Sequence, residues 1–128
     1  MQAISLDDVC NIVANAREFD AQEGVVELDY GANPSDEGFR EILAAYADDA
    51  TFEVLKTFID GLNRDQQCEL VGLAWLGRGD FERSEWAEAL TLARDRHNDH
   101  TATYLLGMPL LADYLEEGLA AFGRACSD

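Results

Sequence analysis

Apolar residues recur along this chain at intervals of three and four, and that spacing predicts helices. Behind Ser5, Leu6, Val9, Cys10, Val13, Ala16 and Phe19 repeat with helical period, and Asp8 stands where a capping box usually has Glu. A first helix is expected over residues 6 to 19. From Asp20 to Pro34 the pattern breaks at Gly24, Gly31 and Asn33-Pro34, which reads as a long loop around a short Val25-Val26-Glu27-Leu28 run. Ser35 suits the cap of a second helix running to about Ala47, with Asp36 and Glu37 in its first turn and Phe39, Ile42, Leu43 and Tyr46 as its apolar stripe. Phe52, Leu55, Phe58, Ile59 and Leu62 mark a third helix over about 50 to 61, ended by Gly61.

Asn63 is a good cap for a fourth helix carrying Cys68, Leu70, Val71, Leu73, Ala74, Trp75 and Leu76. This helix is apolar nearly all round, as a central core helix is. Gly77-Arg78-Gly79 stops it. Ser84 is expected to cap a fifth helix with Trp86, Ala89, Leu90, Ala93 and His97 on one face, and Asn98-Asp-His-Thr101 is the next break. A short helical turn over 102 to 106 precedes Gly107-Met108, and Pro109 suits the first position of a final helix bearing Leu111, Tyr114, Leu115, Gly118, Leu119 and Phe122. No period-two alternation of useful length and no internal repeat occurs. The expected class is therefore all-α: a compact, single-domain orthogonal bundle of five or six helices over residues 1–128, its core built around the fourth helix and closed by the fifth and last.

Composition alters this picture in two respects. At 128 residues with 48 % apolar content, the chain can bury a core without staples. Its 26 carboxylates face nine basic residues for a net charge of −17, and the imbalance is concentrated at the front: 16 acids against 4 bases (−12) in residues 1–69, and 10 against 5 (−5) in the remainder. Such a field repels nucleic acid and anionic membranes. It fits plain solubility best, with salt adaptation, or an acidic surface that docks on a basic partner or imitates nucleic acid, as alternatives. Cys10, Cys68 and Cys126 are odd in number and widely spaced, so neither a disulfide framework nor a zinc site is suggested and reduced thiols are expected. The opening Met1-Gln-Ala-Ile-Ser-Leu-Asp-Asp lacks a signal-peptide pattern and no apolar run is long enough to span a bilayer, so a soluble, cytoplasmic protein is expected.

Candidate chemistry is sparse. His97 and His100, flanked by Asp95 and Asp99, form the single cluster of possible transition-metal ligands, and His97, Asp99 and His100 are the residues that would hold the ion. Against this, Asn98 and Asp99 are turn formers, and His97 continues the apolar face of the Trp86 helix, where packing or C-terminal capping in the charged form is the simpler role. The turn Trp75, Gly77, Arg78, Gly79 could form a backbone nest for phosphate with Arg78 as counter-charge, or Gly77 simply serves as the C-cap while Arg78 pairs with a neighbouring carboxylate. Gly79, Phe81 and Glu85 are spaced as in the second half of a calcium loop, but the upstream ligand positions fall on Ala74, Leu76 and Arg78, which cannot coordinate a hard cation. Glu116-Glu117 and Asp48-Asp49 point about 100° apart on a helix and read as solvated faces. Trp75 and Trp86 are placed to stack across the glycine turn. No nucleotide-binding or nucleophile-elbow motif is present, and no cofactor is expected.

Leu70-Val-Gly-Leu-Ala-Trp-Leu-Gly-Arg-Gly79 and Leu105-Leu-Gly-Met-Pro-Leu-Leu-Ala-Asp-Tyr-Leu-Glu-Glu-Gly118, together with the Trp86 helix between them, resemble a small bacterial domain of unknown function, number 3775 in that series. The resemblance covers about residues 66 to 123. It implies a compact helical module in bacteria and brings no activity, cofactor or catalytic residue with it. The acidic helices and loop of residues 1–65 fall outside it.

Two functions follow as expectations. The first is a non-enzymatic cytosolic interaction or regulatory module that forms a homodimer or binds an unknown protein partner, with no nucleic acid and no membrane. The second is a metal-dependent enzyme or sensor using His97 and His100.

Overall fold

The computed structural model describes residues 2–19, 30, 44, 46 and 49–126. Among them lie six helices and a 3-10 turn: α1 (Leu6–Phe19), α2 (Ala50–Asp60), α3 (Arg64–Arg78), the 3-10 turn (Arg83–Glu85), α4 (Trp86–Arg96), α5 (Thr101–Leu106) and α6 (Leu111–Ala121). The architecture is an all-α helical bundle, as the periodicity predicts. The loop expected over 20 to 34 and the helix expected from Ser35 to about Ala47 lie outside the described residues, apart from Tyr30, Ala44 and Tyr46.

Side-chain caps start the first three helices. The Ser5 hydroxyl accepts the Asp8 N–H at 3.1 Å ahead of α1, and Asp49 Oδ1 accepts from Thr51 and Phe52 at the head of α2. Asn63 and Gln66 form a reciprocal capping box on α3: Asn63 Oδ1 accepts the Gln66 N–H at 2.8 Å, and Gln66 Oε1 accepts the Asn63 N–H at 2.9 Å. Two starts differ from expectation. Ser84 does not cap α4, because the i→i+3 bond from Glu85 N–H to the Glu82 carbonyl winds residues 83–85 into a tighter turn first. Pro109 does not open α6 either. Leu110 takes the left-handed conformation (φ 62°, ψ 26°), which interrupts any helix begun at Pro109, and α6 starts at Leu111.

Helix α3 lies in the middle. From Gln67 to Leu76 it is buried on every side, and it packs most extensively against α6 and then α4, while α1 covers α6 and α2, and α2 meets α5. The core joins Val9, Ile12 and Val13 of α1, Phe52, Leu55 and Ile59 of α2, Leu70 and Leu73 of α3, and Leu111, Leu115 and Leu119 of α6. Where α3 crosses α6 the backbones themselves touch. A Cβ on Gly77 would overlap the Tyr114 carbonyl, and one on Gly118 would overlap the Leu73 carbonyl, so these two glycines set how close the helices come.

The thiol expectation is corrected for two of the three cysteines. Cys10 on α1 and Cys126 beyond α6 form a disulfide with their Cα atoms 5.5 Å apart, and Cys68 alone is free, fully buried in α3. A bond joining positions 116 residues apart leaves no local spacing to read. Among the described residues, no helix is long and apolar enough to cross a membrane.

Candidate functional site

The turn after α3 is a helix stop. Gly79 (φ 93°) sends its N–H back to Leu76 and Trp75, and the Asp80 N–H also bonds the Trp75 carbonyl at 3.0 Å. The N–H groups a phosphate nest would offer are therefore engaged by the helix end. Arg78 directs Nε and Nη2 onto Asp80 Oδ2 at 2.8 and 2.6 Å, which is the pairing with a neighbouring carboxylate that the turn offers. The cap residue is Gly79 and not Gly77, which is held in α3 by its contact with α6. Glu85 Oε1 accepts the Glu82 N–H, and the calcium-loop positions Ala74 and Leu76 are buried in α3.

Trp75 and Trp86 part company at this turn. Trp75 is buried against Phe81 and Tyr30, with ring centroids at 5.9 and 5.8 Å, and donates its indole N–H to Tyr104 Oη at 2.8 Å. Tyr30 in turn shares a 2.9 Å hydrogen bond with Thr101 Oγ1, and its burial pushes the phenol up to about 12. Trp86 instead meets Phe122 edge-on at 4.9 Å and seats its ring over Gly72, while Arg83 lies 4.1 Å from the Phe122 ring centre.

His97 ends α4 and points inward. Its Nε2 lies 2.7 Å from Gln67 Oε1, and the Gln67 amide nitrogen donates to the Ile59 carbonyl at 2.8 Å. Because the amide nitrogen is the donor, Oε1 must accept, so imidazole Nε2 carries the proton and is unavailable to a metal in this arrangement. Of the two simpler roles expected, the inward placement at the C-cap position fits packing, and the charged form is not the one favoured. Burial, followed by the nearby Arg64, pushes the His97 pKa below its ordinary value, with Asp99 opposing. Asp99 is exposed, and His100 sits at the head of α5 with its N–H on Asn98 Oδ1 at 2.8 Å. Among the described residues, no group of three or more His, Cys, Asp or Glu side chains is placed to hold a metal ion.

Two further features escape the sequence. Glu69, on the buried run of α3, accepts three backbone N–H groups from the chain start: Gln2 on Oε2 at 2.9 Å, and Ala3 and Ile4 on Oε1, both at 2.8 Å. The one local signal is a carboxylate between Cys68 and Leu70 on an otherwise apolar stretch, which demands a partner without naming it. The second is a shallow, open depression of about 330 Å³ on the outer side of α4, lined by Ala87, Glu88, Thr91, Leu92 and Asp95 of that one helix. Its residues recur at helical spacing and read from the sequence as an ordinary solvated face.

An all-α bundle built on a central buried helix, with its polar side chains turned to capping and internal bonding, defines the class. The chain belongs to the family described as "Protein of unknown function (DUF3775)", whose model matches residues 52–124. The match takes in α2 as well as the motifs that carry the resemblance, and it leaves α1 outside. No curated protein and no solved structure matches the chain.

Proposed function

We propose that this protein is a non-enzymatic, cytosolic interaction or regulatory module that receives a basic protein segment on the exposed face of α4. The observation that carries this reading is the exposed α4 face, a shallow open depression with acidic side chains at both ends. Glu88 and Asp95 stand two turns apart with Thr91 and Leu92 between them, so a segment with an apolar centre and cationic flanks would bury Leu92 and meet both carboxylates. A second copy fits less well than a basic partner, because a two-fold pairing of this face brings like charges together on a chain already at −17. The residues with chemical potential support the same reading: His97, Glu69, Trp75 and Arg78 are engaged by Gln67, the chain start, Tyr104 and Asp80 respectively.

The test is a titration of the full chain with a short amphipathic Lys/Leu helical peptide, followed by amide chemical shifts, alongside native mass spectrometry of the protein alone. Expected are shifts clustered over residues 87–95, weakening with added salt and lost in Glu88→Lys/Asp95→Lys. Shifts scattered over the surface, or binding unaffected by charge reversal, would overturn the assignment of the α4 face.

A further inference from the structure

We propose that the Cys10–Cys126 disulfide is a reversible redox clamp, locking α1 to the segment that follows α6, and not a staple on which the fold depends. The inference goes beyond the binding role proposed above and does not require it.

Three observations carry it. The contacts that bury α1 do not run through the bond. Val9, Ile12, Val13 and Ala16 bury the inner face of α1 against the core, Arg17 pairs with Asp113 and Glu116 on α6, and Glu69 holds residues 2–4. With the sulfurs separated, these contacts keep Cys10 near the end of α6, so the effective concentration of one thiol at the other stays high and reclosure is intramolecular. The bond is also reachable. Both cysteines are half-buried at the periphery, and residues 124–126 follow α6 as irregular backbone. Finally, the remaining thiol does not compete. Cys68 is fully buried in α3 and burial pushes its pKa up, so exchange among the three sulfurs is suppressed.

The clamp lies on the flanks of the family-matched segment. Cys10 precedes residue 52 and Cys126 follows residue 124, so the bond couples α1, outside the match, to the chain just past the matched segment. Opening is thiol–disulfide exchange with a low-molecular-weight thiol such as glutathione. One glutathione thiolate attacks a clamp sulfur, expelling the other as a cysteine thiolate and leaving a mixed disulfide. A second glutathione thiolate resolves it, giving two cysteine thiols and oxidised glutathione after two protons are taken up. Closure is the reverse, with oxidised glutathione accepting the two electrons.

The experiment equilibrates the full chain in glutathione buffers from mostly oxidised to mostly reduced, traps thiols by alkylation, and reads site occupancy and hydrogen exchange by mass spectrometry. Cys10 and Cys126 are expected to convert together as one two-electron pair, with Cys68 alkylated only after denaturation. Exchange in α1 and residues 122–126 should become about tenfold faster on reduction while α3 is unchanged. The C10S/C126S variant should unfold cooperatively and reproduce the reduced pattern. The clamp is overturned if the bond persists in the most reducing buffer, never forms in the most oxidising one, or proves necessary for cooperative folding of C10S/C126S.

Discussion

Gly77 and His97 show how little freedom single positions have in this bundle. With the Tyr114 carbonyl occupying the space a Cβ would need, Gly77→Ala must push α6 away from α3, and we expect a loss of about 3 kcal/mol, at the upper end of overpacking costs. Urea unfolding measures it, with Gly79→Ala as the comparison: nothing crowds that site, and the loss should be about 1 kcal/mol, from the left-handed backbone alone. Equal losses at the two glycines would contradict the close crossing. At His97 the folded pKa is depressed, so between that value and the unfolded one near 6.5 the unfolded chain binds the proton that the folded chain refuses. Stability contributed by the neutral imidazole is complete above about pH 6.5 and erodes as pH falls toward the folded value. His97→Gln keeps an N–H donor for Gln67 and cannot titrate, so the slope of stability against pH below 6.5 should be shallower in the variant than in the parent. An unchanged slope would assign that titration to other groups.

Among the elements, legibility followed the range of the interaction. Helices α2 and α3 sit where Phe52-to-Leu62 periodicity and the Asn63 cap place them, because a helix stripe and a cap are written within a few neighbouring residues. The starts of α4 and α6 were misplaced by local geometry that residue type does not announce: a 3-10 turn at Arg83–Glu85 and a left-handed leucine at 110. Glu69, the Trp75–Tyr104 bond and the cysteine pair were illegible because each joins residues far apart in sequence. The same division separates two substitutions. Asn63→Ala removes a local cap and should cost about 1 kcal/mol throughout the bundle, seen in thermal unfolding. Glu69→Ala removes the acceptor for three N–H groups at the chain start, so we expect the amides of residues 2–4 to exchange freely and α3 to keep its protection. Protection of residues 2–4 that survives Glu69→Ala would show another acceptor.

For the molecule as a whole, nine cations cannot neutralise 26 carboxylates, and the folded state brings those charges closer together than the unfolded chain does. Raising sodium chloride from about 0.01 to 0.15 M, which shortens the screening length from about 30 to 8 Å, is expected to raise Tm by several degrees. A fall in Tm would mean that pairs such as Arg17 with Asp113 and Lys56 with Asp60 outweigh the self-repulsion. The two tryptophans divide the molecule optically. Trp75 is enclosed with its indole bonded to Tyr104, whereas Trp86 is half-buried against Phe122, just ahead of the clamp cysteine. Emission from Trp75 should be short in wavelength and shielded from iodide, an internal reference, while Trp86 emits from the wetter site beside Phe122. With the Cys10–Cys126 clamp open, the ratio of quenched to unquenched fluorescence is expected to rise, an intrinsic optical gauge of whether the two ends are tied.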